Sequence, residues 1–302
     1  TTEIYTLSLH DALPISCYFK QALSAINKAG IHDEKEQVQV LFELMKAIPN
    51  LDVFASPAEV STYVLQHVSE VLDIPDPFLK AKKEANKIAM QLIGSVRERI
   101  DSSETPLFTA IRAAVAGNIV DLGILESYDL EGTLEEAFCS DFAVWDFEAF
   151  EKLIGPGKPL LYIGDNTGEI VFDKLLIEEL QKIGLVVTFA VKEEPILNDA
   201  TMEDAIEVGM DKVAKVITNG NGFMGTIVSE CSEEFLKALD ESDVVIAKGQ
   251  ANYESLEGTK EAGEKTFFIL KIKCPFLAET IPGTKMGDMV FLRNRVKKLK
   301  QH

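Results

Sequence analysis

The sequence predicts an α/β protein with a doubly wound, mainly parallel Rossmann-like sheet and a helical N-terminal domain. Residues 17–153 carry apolar side chains at three- and four-residue spacings, the period of amphipathic helices. After Gly155-Pro156-Gly157 the pattern changes to short apolar runs separated by helical stretches. Such runs are typical of parallel strands with both faces covered. We therefore expect a helical domain over residues 17–154 and an α/β domain over residues 155–302.

The first 16 residues, TTEIYTLSLHDALPIS, do not continue the helical pattern that follows them. They lack the basic start and the long apolar core of a signal peptide. The stretch resembles translated sequencing-adapter read-through, and we expect residues 1–16 to be a non-native tail.

The helical half carries start signals as well as periodicity. Ser56-Pro57-Ala58-Glu59 combines an N-cap serine, a proline at the first helical position and a glutamate that completes a capping box. The segment from Ser103 to Pro106 opens a second predicted helix, which contains FTAIRAAVAGNIVD. Both signals favour helices that begin at these residues.

The C-terminal half contains six candidate strands. Amphipathic helices are predicted between them at EIVFDKLLIEELQKIG and SEEFLKALDES. The strands are PLLYIGD (159–165), LVVTFAV (185–191), KVAKVIT (212–218), DVVIAKG (243–249), KTFFILKIK (265–273) and DMVFL (288–292). In open α/β sheets, ligands bind at the carboxyl ends of the strands, so polar residues at those ends are the functional candidates.

Composition restricts the partners of the chain. The formal charge of −19 would repel a nucleic-acid backbone or an anionic membrane surface. No apolar run reaches the ~18 residues of a membrane span. The four scattered cysteines are read as reduced thiols, which indicates the cytoplasm. A phosphate could still bind such an acidic protein, provided that a metal, a lysine or a helix N-terminus supplies local positive charge.

Three oxygen-bearing side chains follow two consecutive strands. Asp165 and Asn166 come directly after the strand that starts at Pro159, and Asp199 lies in the loop after the next strand. Taken singly, each residue is an ordinary helix N-cap. At neighbouring strand ends they form the all-oxygen half-shell that suits Mg²⁺ or Mn²⁺, with positions left for water and phosphate.

Other strand ends supply complementary groups. Lys248 and Asn252 follow DVVIA, and Lys271 lies near the end of KTFFILKIK. A lysine there would offset phosphate charge, and the backbone amides at Gly168 could hold phosphate oxygens. The chain has no P-loop, dinucleotide, nucleophile-elbow or zinc-protease motif, and its four histidines all lie outside the α/β half.

Four segments in this order, GDNTGEIVFD, ILNDAT, KGQANYESL and LKIKCP, resemble the damage-control phosphatase family, in particular its small prokaryotic branch. The resemblance extends from about Cys17 to the C-terminus. It implies a phosphatase that depends on a divalent metal such as Mn²⁺, Co²⁺ or Ni²⁺ and hydrolyses sugar phosphates and related small metabolites.

By position, the resemblance assigns the metal ligands to Asp165, Asn166 and Asp199, and substrate contacts to Glu169 and Lys271. We add Gly168, Lys248 and Asn252 as candidate substrate-binding residues, and Lys271 as a catalytic candidate beside the three ligands. Two residues depart from the family pattern. Pro14 stands where the branch usually has the first cysteine of a Cys-x-x-Cys pair with Cys17, and Gln250 replaces an aspartate of the larger relatives. Asn118 and Asp121 also match the pattern, with a possible role in lining the site.

Two rival functions remain open at this point. LLYIGDNTGEI superficially resembles the glycine-rich turn of S-adenosylmethionine-dependent methyltransferases, although Asp165 and Asn166 stand where glycines are needed. The second rival is a non-catalytic metal- or metabolite-binding module, because a fold does not determine a function.

Overall fold

The computed structural model describes residues 9–50, 56–117 and 130–296. Its helices are α1 (Leu9–Lys28), α2 (Glu34–Ala47), α3 (Pro57–Leu72), α4 (Leu79–Asp101), α5 (Pro106–Ala116), α6 (Leu130–Cys139), α7 (Phe147–Glu151), α8 (Glu169–Lys182), α9 (Met202–Glu207), α10 (Glu233–Glu241), α11 (Gln250–Leu256) and α12 (Pro275–Thr280). Its strands are β1 (Phe142–Trp145), β2 (Pro159–Ile163), β3 (Val186–Val191), β4 (Lys215–Thr218), β5 (Val244–Lys248), β6 (Thr266–Lys271) and β7 (Met289–Arg293).

The chain divides into two compact units, residues 1–80 and 81–302. In the first unit, α1 and α2 both pack on α3. Helix α3 begins with the predicted capping box, in which Ser56 accepts from the backbone of Glu59 and the Glu59 side chain accepts from the backbone of Ser56. The sequence analysis placed the domain boundary between residues 154 and 155, where the sequence pattern changes. The compact units divide earlier, between residues 80 and 81, and the sequence-based boundary stays a prediction.

The second unit contains a seven-stranded sheet in the order β1-β7-β6-β5-β2-β3-β4. The only antiparallel pair among these described strands is β6 with β7. Strands β2, β3 and β4 run outward in one direction, whereas the chain next adds β5 on the other side of β2. The topological switch point therefore lies between β2 and β5, and a crevice is expected at their carboxyl ends.

Both faces of the sheet are covered by apolar side chains. Leu160 and Tyr162 of β2 belong to the core that includes α5 and α8, whereas Leu161 and Ile163 belong to the core that includes α10 and α11. This alternation is the two-residue period of a strand buried on both sides. The predicted doubly wound, mainly parallel fold is confirmed.

The sequence analysis missed one strand. Phe142–Trp145 lies inside the stretch predicted to be helical, yet it forms edge strand β1, parallel to β7. Four residues are too few to show a clear period of two. The segment is anchored by aromatic contacts, with the Trp145 ring 5.3 Å from Phe291 and stacked on Phe147 at 5.1 Å. Tertiary packing, rather than a local pattern, therefore determines this strand.

None of the helices in the described ranges combines the length and the apolar character that crossing a membrane requires.

Candidate metal and phosphate site

The turn between β2 and α8 presents Asp165 and Asn166 at the switch point. Gly168 ends the turn with a φ of +78°, a backbone conformation that glycine adopts without strain. Its N–H donates to Asn86 Oδ1 at 2.7 Å, so a buried asparagine of α4 satisfies one free donor at the start of α8. The amide of Gly168, which we expected to hold phosphate, has a protein partner in this structure.

The loop after β3 is joined to this turn by backbone hydrogen bonds. Ala200 N–H donates to Asp165 O at 2.8 Å, and Thr167 N–H donates to Asn198 O at 2.8 Å. Asn166 and Asp199 consequently form an isolated antiparallel bridge. Leu197, just before these residues, has a φ of +46°, a left-handed conformation that is unfavourable for a leucine. The structure thus brings the three proposed ligands together across two strand-end loops.

The third side of the crevice is the end of β5, where Gly249 has a φ of +80°. A Cβ atom built on Gly249 would lie 1.9 Å from Asp165 Oδ2. Only a glycine permits the Asp165 carboxylate to lie against this backbone. Asn252 fixes the same region, because its side-chain amide donates to Gly164 O at 3.2 Å and to Lys248 O at 2.7 Å, while its oxygen accepts from Thr226 at 2.8 Å.

The two aspartates of the site hold protons unusually tightly. Burial and the charges of Glu169 and Asp199 raise the pKa of Asp165 well above its ordinary value, and Lys273 and Lys248 offset this only in part. Burial likewise raises the pKa of Asp199 to about 6, although Lys192, 3.7 Å away, opposes the shift. Each pKa shows that a negative charge at this position is costly in the absence of a cation.

A buried polar network lies behind the aspartates. The ammonium group of Lys248 contacts Glu169, Asp173 at 2.6 Å and the carbonyl oxygen of Ala114 at 2.9 Å. Tyr162 donates to the same Asp173 oxygen at 2.6 Å. Burial raises the pKa of Asp173 to about 6, and the two carboxylates raise the pKa of Lys248 despite the opposing effect of its burial.

Counting the charges in this region gives a test for a metal. The carboxylates are those of Asp165, Glu169, Asp173 and Asp199, and the buried ammonium groups beside them are those of Lys192 and Lys248. Apart from the exposed Lys273, whose charge also acts on Asp165, two negative charges remain in excess, which is the charge that one divalent cation neutralises. The nearby buried pair of Lys82 and Asp204, 2.8 Å apart, contributes no net charge.

The donor set fits such a cation, provided that an amide takes part. Among the described residues, no group of three histidine, cysteine, aspartate or glutamate side chains converges on one point. A cation held between the two aspartates would therefore need a further ligand such as the carbonyl oxygen of Asn166. Two carboxylates and one amide oxygen, completed by water or substrate, are ordinary ligands for a hard divalent ion.

The lysines of the LKIKCP segment have different positions. Lys271 is the last residue of β6, is half-buried and pairs with Met289 in the antiparallel pairing of β6 with β7. Lys273, two residues further on, is exposed, and its charge lowers the pKa of Asp165. The sequence analysis chose Lys271 and did not consider Lys273, although a period of two places both on the same side of the chain.

The sequence analysis also missed Asn86 and Lys192. Asn86 lies 82 residues before its partner Gly168, so no local pattern connects the two. Lys192 directly follows β3, where a charged residue at a strand end could have been considered, and it is buried against Asp199 and the carbonyl oxygen of Gly225. Asn118 and Asp121 lie outside the described residues.

Comparison with known proteins gives a consistent result. Residues 13–290 match the damage-control phosphatase ARMT1-like domain. A damage-control phosphatase of Archaeoglobus fulgidus is 35% identical, with 77% of this chain and 81% of that protein covered. A damage-control phosphatase of Pyrococcus horikoshii is 32% identical over 80% of this chain and 83% of its own length.

One further relative, and the crystal structure of the Pyrococcus horikoshii phosphatase, extend the match over nearly the whole chain. An uncharacterized protein of Methanocaldococcus jannaschii is 38% identical, with 92% of this chain and 93% of that protein covered. The crystal structure of that Pyrococcus horikoshii protein, described there as a domain-of-unknown-function-89 family protein, superposes with a TM-score of 0.84. It is 29% identical and covers 94% of this chain and 98% of its own. The match of domain, sequence and fold over most of the chain shows that this protein belongs to the damage-control phosphatase ARMT1-like family.

Proposed function

We propose that the chain hydrolyses phosphate monoesters of small metabolites, such as sugar phosphates, at the carboxyl ends of β2, β3 and β5. Family membership makes it a metal-dependent phosphatase. The observation that carries the location is the excess of two negative charges around Asp165 and Asp199 at the topological switch point.

Asp165, Asn166 and Asp199 are the proposed holders of the divalent metal, with Mn²⁺, Co²⁺, Ni²⁺ and Mg²⁺ as candidates. When bound, such an ion polarises a phosphate oxygen and makes a water molecule more acidic. The chain itself supplies rigid placement, since the two loops that carry the ligands are joined by backbone hydrogen bonds on both sides of the Asn166–Asp199 bridge.

The phosphate also needs positive charge from the chain. Lys273 is exposed and close enough to Asp165 to change its pKa, so it is the lysine that we now favour for contact with the transferred phosphate. Lys271 remains a candidate from the resemblance. A lysine that contributes positive charge suits phosphoryl transfer, because catalysis of that reaction depends mainly on positioning the reactants and stabilising charge.

The methyltransferase alternative loses support. Methyltransferase binding of a nucleoside needs close backbone approach at the turn after β2, but that turn presents Asp165 and Asn166 and is packed against Gly249. The binding-module alternative differs from the proposal only in turnover, which is measurable.

The test is hydrolysis of p-nitrophenyl phosphate by metal-stripped protein to which Mg²⁺, Mn²⁺, Co²⁺ or Ni²⁺ is returned. We expect activity only with metal, and a loss of at least ~100-fold in Asp165→Ala, the range for losing a group that stabilises transition-state charge. Asp211→Asn, an exposed aspartate away from the site, is the control and should match the unmodified protein. A folded protein that is inactive with every metal and with a panel of sugar phosphates would refute the proposal.

A further inference from the structure

The side chains of Lys248 and Glu169 are both buried, and neither offers an evident group that a substrate could contact. Lys248 is fully buried, and an ammonium group has three N–H donors. These three donors correspond to the three acceptors found around it, which are Glu169, Asp173 and the carbonyl oxygen of Ala114. Lys248 therefore acts on the site through its neighbours.

Glu169 connects this lysine to a proposed metal ligand. Its side chain is 1% exposed at the first position of α8. Oxygen Oε1 contacts Lys248, and Oε2 lies 3.5 Å from Asn166 Nδ2. Both carboxylate oxygens thus face protein groups within the network.

The Asn166 amide has one orientation that suits its surroundings. Its nitrogen donates to Asp165 Oδ2 at 2.9 Å and faces Glu169 Oε2. If the amide were turned by 180°, its carbonyl oxygen would face two carboxylates, which is electrostatically repulsive. The observed orientation directs the amide oxygen away from both carboxylates, as ligation through that oxygen requires.

We propose that Glu169, held in place by Lys248, is a positioning residue that orients Asn166 as a metal ligand and makes no contact with the substrate. The proposal rests on the metal site of the proposed function. Partners of this kind fix the orientation of metal ligands, and their loss typically weakens metal binding by about 10- to 100-fold.

The first test is Mn²⁺ titration of metal-stripped protein by calorimetry, together with steady-state kinetics at saturating Mn²⁺. Glu169→Gln should weaken Mn²⁺ binding about 10-fold or more and change KM for p-nitrophenyl phosphate less than about twofold. Glu179→Gln, a mostly buried glutamate of the same helix that pairs with Lys182, is the matched control and should leave the Mn²⁺ affinity unchanged. Unchanged Mn²⁺ affinity in Glu169→Gln, combined with a raised KM, would overturn the proposal in favour of substrate contact.

A double-mutant cycle tests the orientation itself. The two oxygens of a carboxylate are equivalent, so an aspartate at position 166 needs no partner to fix its orientation. In an Asn166→Asp background, the Glu169→Gln change should therefore no longer weaken Mn²⁺ binding, and relief of charge repulsion should strengthen that binding. The same loss of affinity in both backgrounds would contradict an effect through Asn166. Failure of the proposed function is recognised separately, because the unmodified protein would then neither bind Mn²⁺ nor hydrolyse phosphate esters.

Discussion

At the scale of single residues, the site depends on close contacts that almost any substitution of the residues involved would disrupt. The Asp165 carboxylate lies against the backbone of Gly249, and Asn86 satisfies the N–H of Gly168 at 2.7 Å. Neither contact joins two proposed catalytic groups. Each keeps the strand-end loops in the arrangement in which Asp165, Asn166 and Asp199 meet.

Replacement of Gly249 by alanine should impair the site as well as the fold. Gly249→Ala places a methyl group 1.9 Å from Asp165 Oδ2 and imposes a φ of +80° on an L-residue. With a ψ of 169°, this is a conformation that only glycine adopts readily, and the backbone strain costs about 1–3 kcal/mol. Displacement of Asp165 should lower kcat/KM by at least about tenfold. Activity and urea unfolding measure the two effects.

Gly263→Ala is the matched control for that change. Gly263 has a φ of +62°, but its nearest contact for a Cβ atom is 3.7 Å away. The control should lose stability through backbone strain alone and retain its activity. Equal loss of activity in both variants would contradict a specific role for the contact between Gly249 and Asp165.

The two lysines of the segment after β6 should differ in their effect on substrate binding. Lys273 acts electrostatically on Asp165, whereas Lys271 pairs with Met289 of β7. Lys273→Met should raise KM for p-nitrophenyl phosphate about tenfold or more, because a charge-assisted contact with phosphate is lost. Lys271→Met should have a smaller effect, and the reverse order would restore the sequence-based choice.

At the scale of elements, long-range contacts explain what the sequence could and could not predict. The strands from β2 to β7 were predicted because buried parallel strands are continuous apolar runs. Asp165, Asn166 and Asp199 were grouped because strand ends share one edge of the sheet. The role of α4 could not be predicted, since Asn86 acts on α8 across 82 residues.

Loss of the Asn86 side chain should destabilise the start of α8. Asn86→Ala leaves the buried N–H of Gly168 without its acceptor and should lower the free energy of unfolding by about 1–3 kcal/mol. Ser232→Ala, which removes the N-cap bond to Phe235 at the start of α10, is the comparison and should cost about 1 kcal/mol. Only Asn86→Ala should also weaken Mn²⁺ binding, and no difference between the two variants in that affinity would contradict the link to the site.

At the scale of the whole molecule, stability and function oppose each other through charge. The metal-free site holds two more carboxylates than ammonium groups in a largely buried region, in a chain with a formal charge of −19. The proton, or a divalent cation, is what relieves this excess.

This opposition predicts a pH dependence for the metal-free protein. The pKa of Asp199 is about 6 in the folded protein and near 4 in an unfolded chain, so the folded state binds the proton more tightly. Ionisation of Asp199 therefore lowers the free energy of unfolding as the pH rises from about 4 to about 6. The stability of Asp199→Asn relative to the unmodified protein should rise over the same range, as urea unfolding at pH 4.5 and 7.5 would show. A relative stability that is constant or falls with pH would contradict the shift.

The most direct test of the account is the stoichiometry of Mn²⁺ binding, measured by titration of metal-stripped protein. The account predicts one Mn²⁺ per chain, lost in both Asp165→Asn and Asp199→Asn and retained in Asp240→Asn, which changes an exposed aspartate of α10. Mn²⁺ binding that persists unchanged in both site variants would contradict a metal site at the carboxyl ends of β2 and β3.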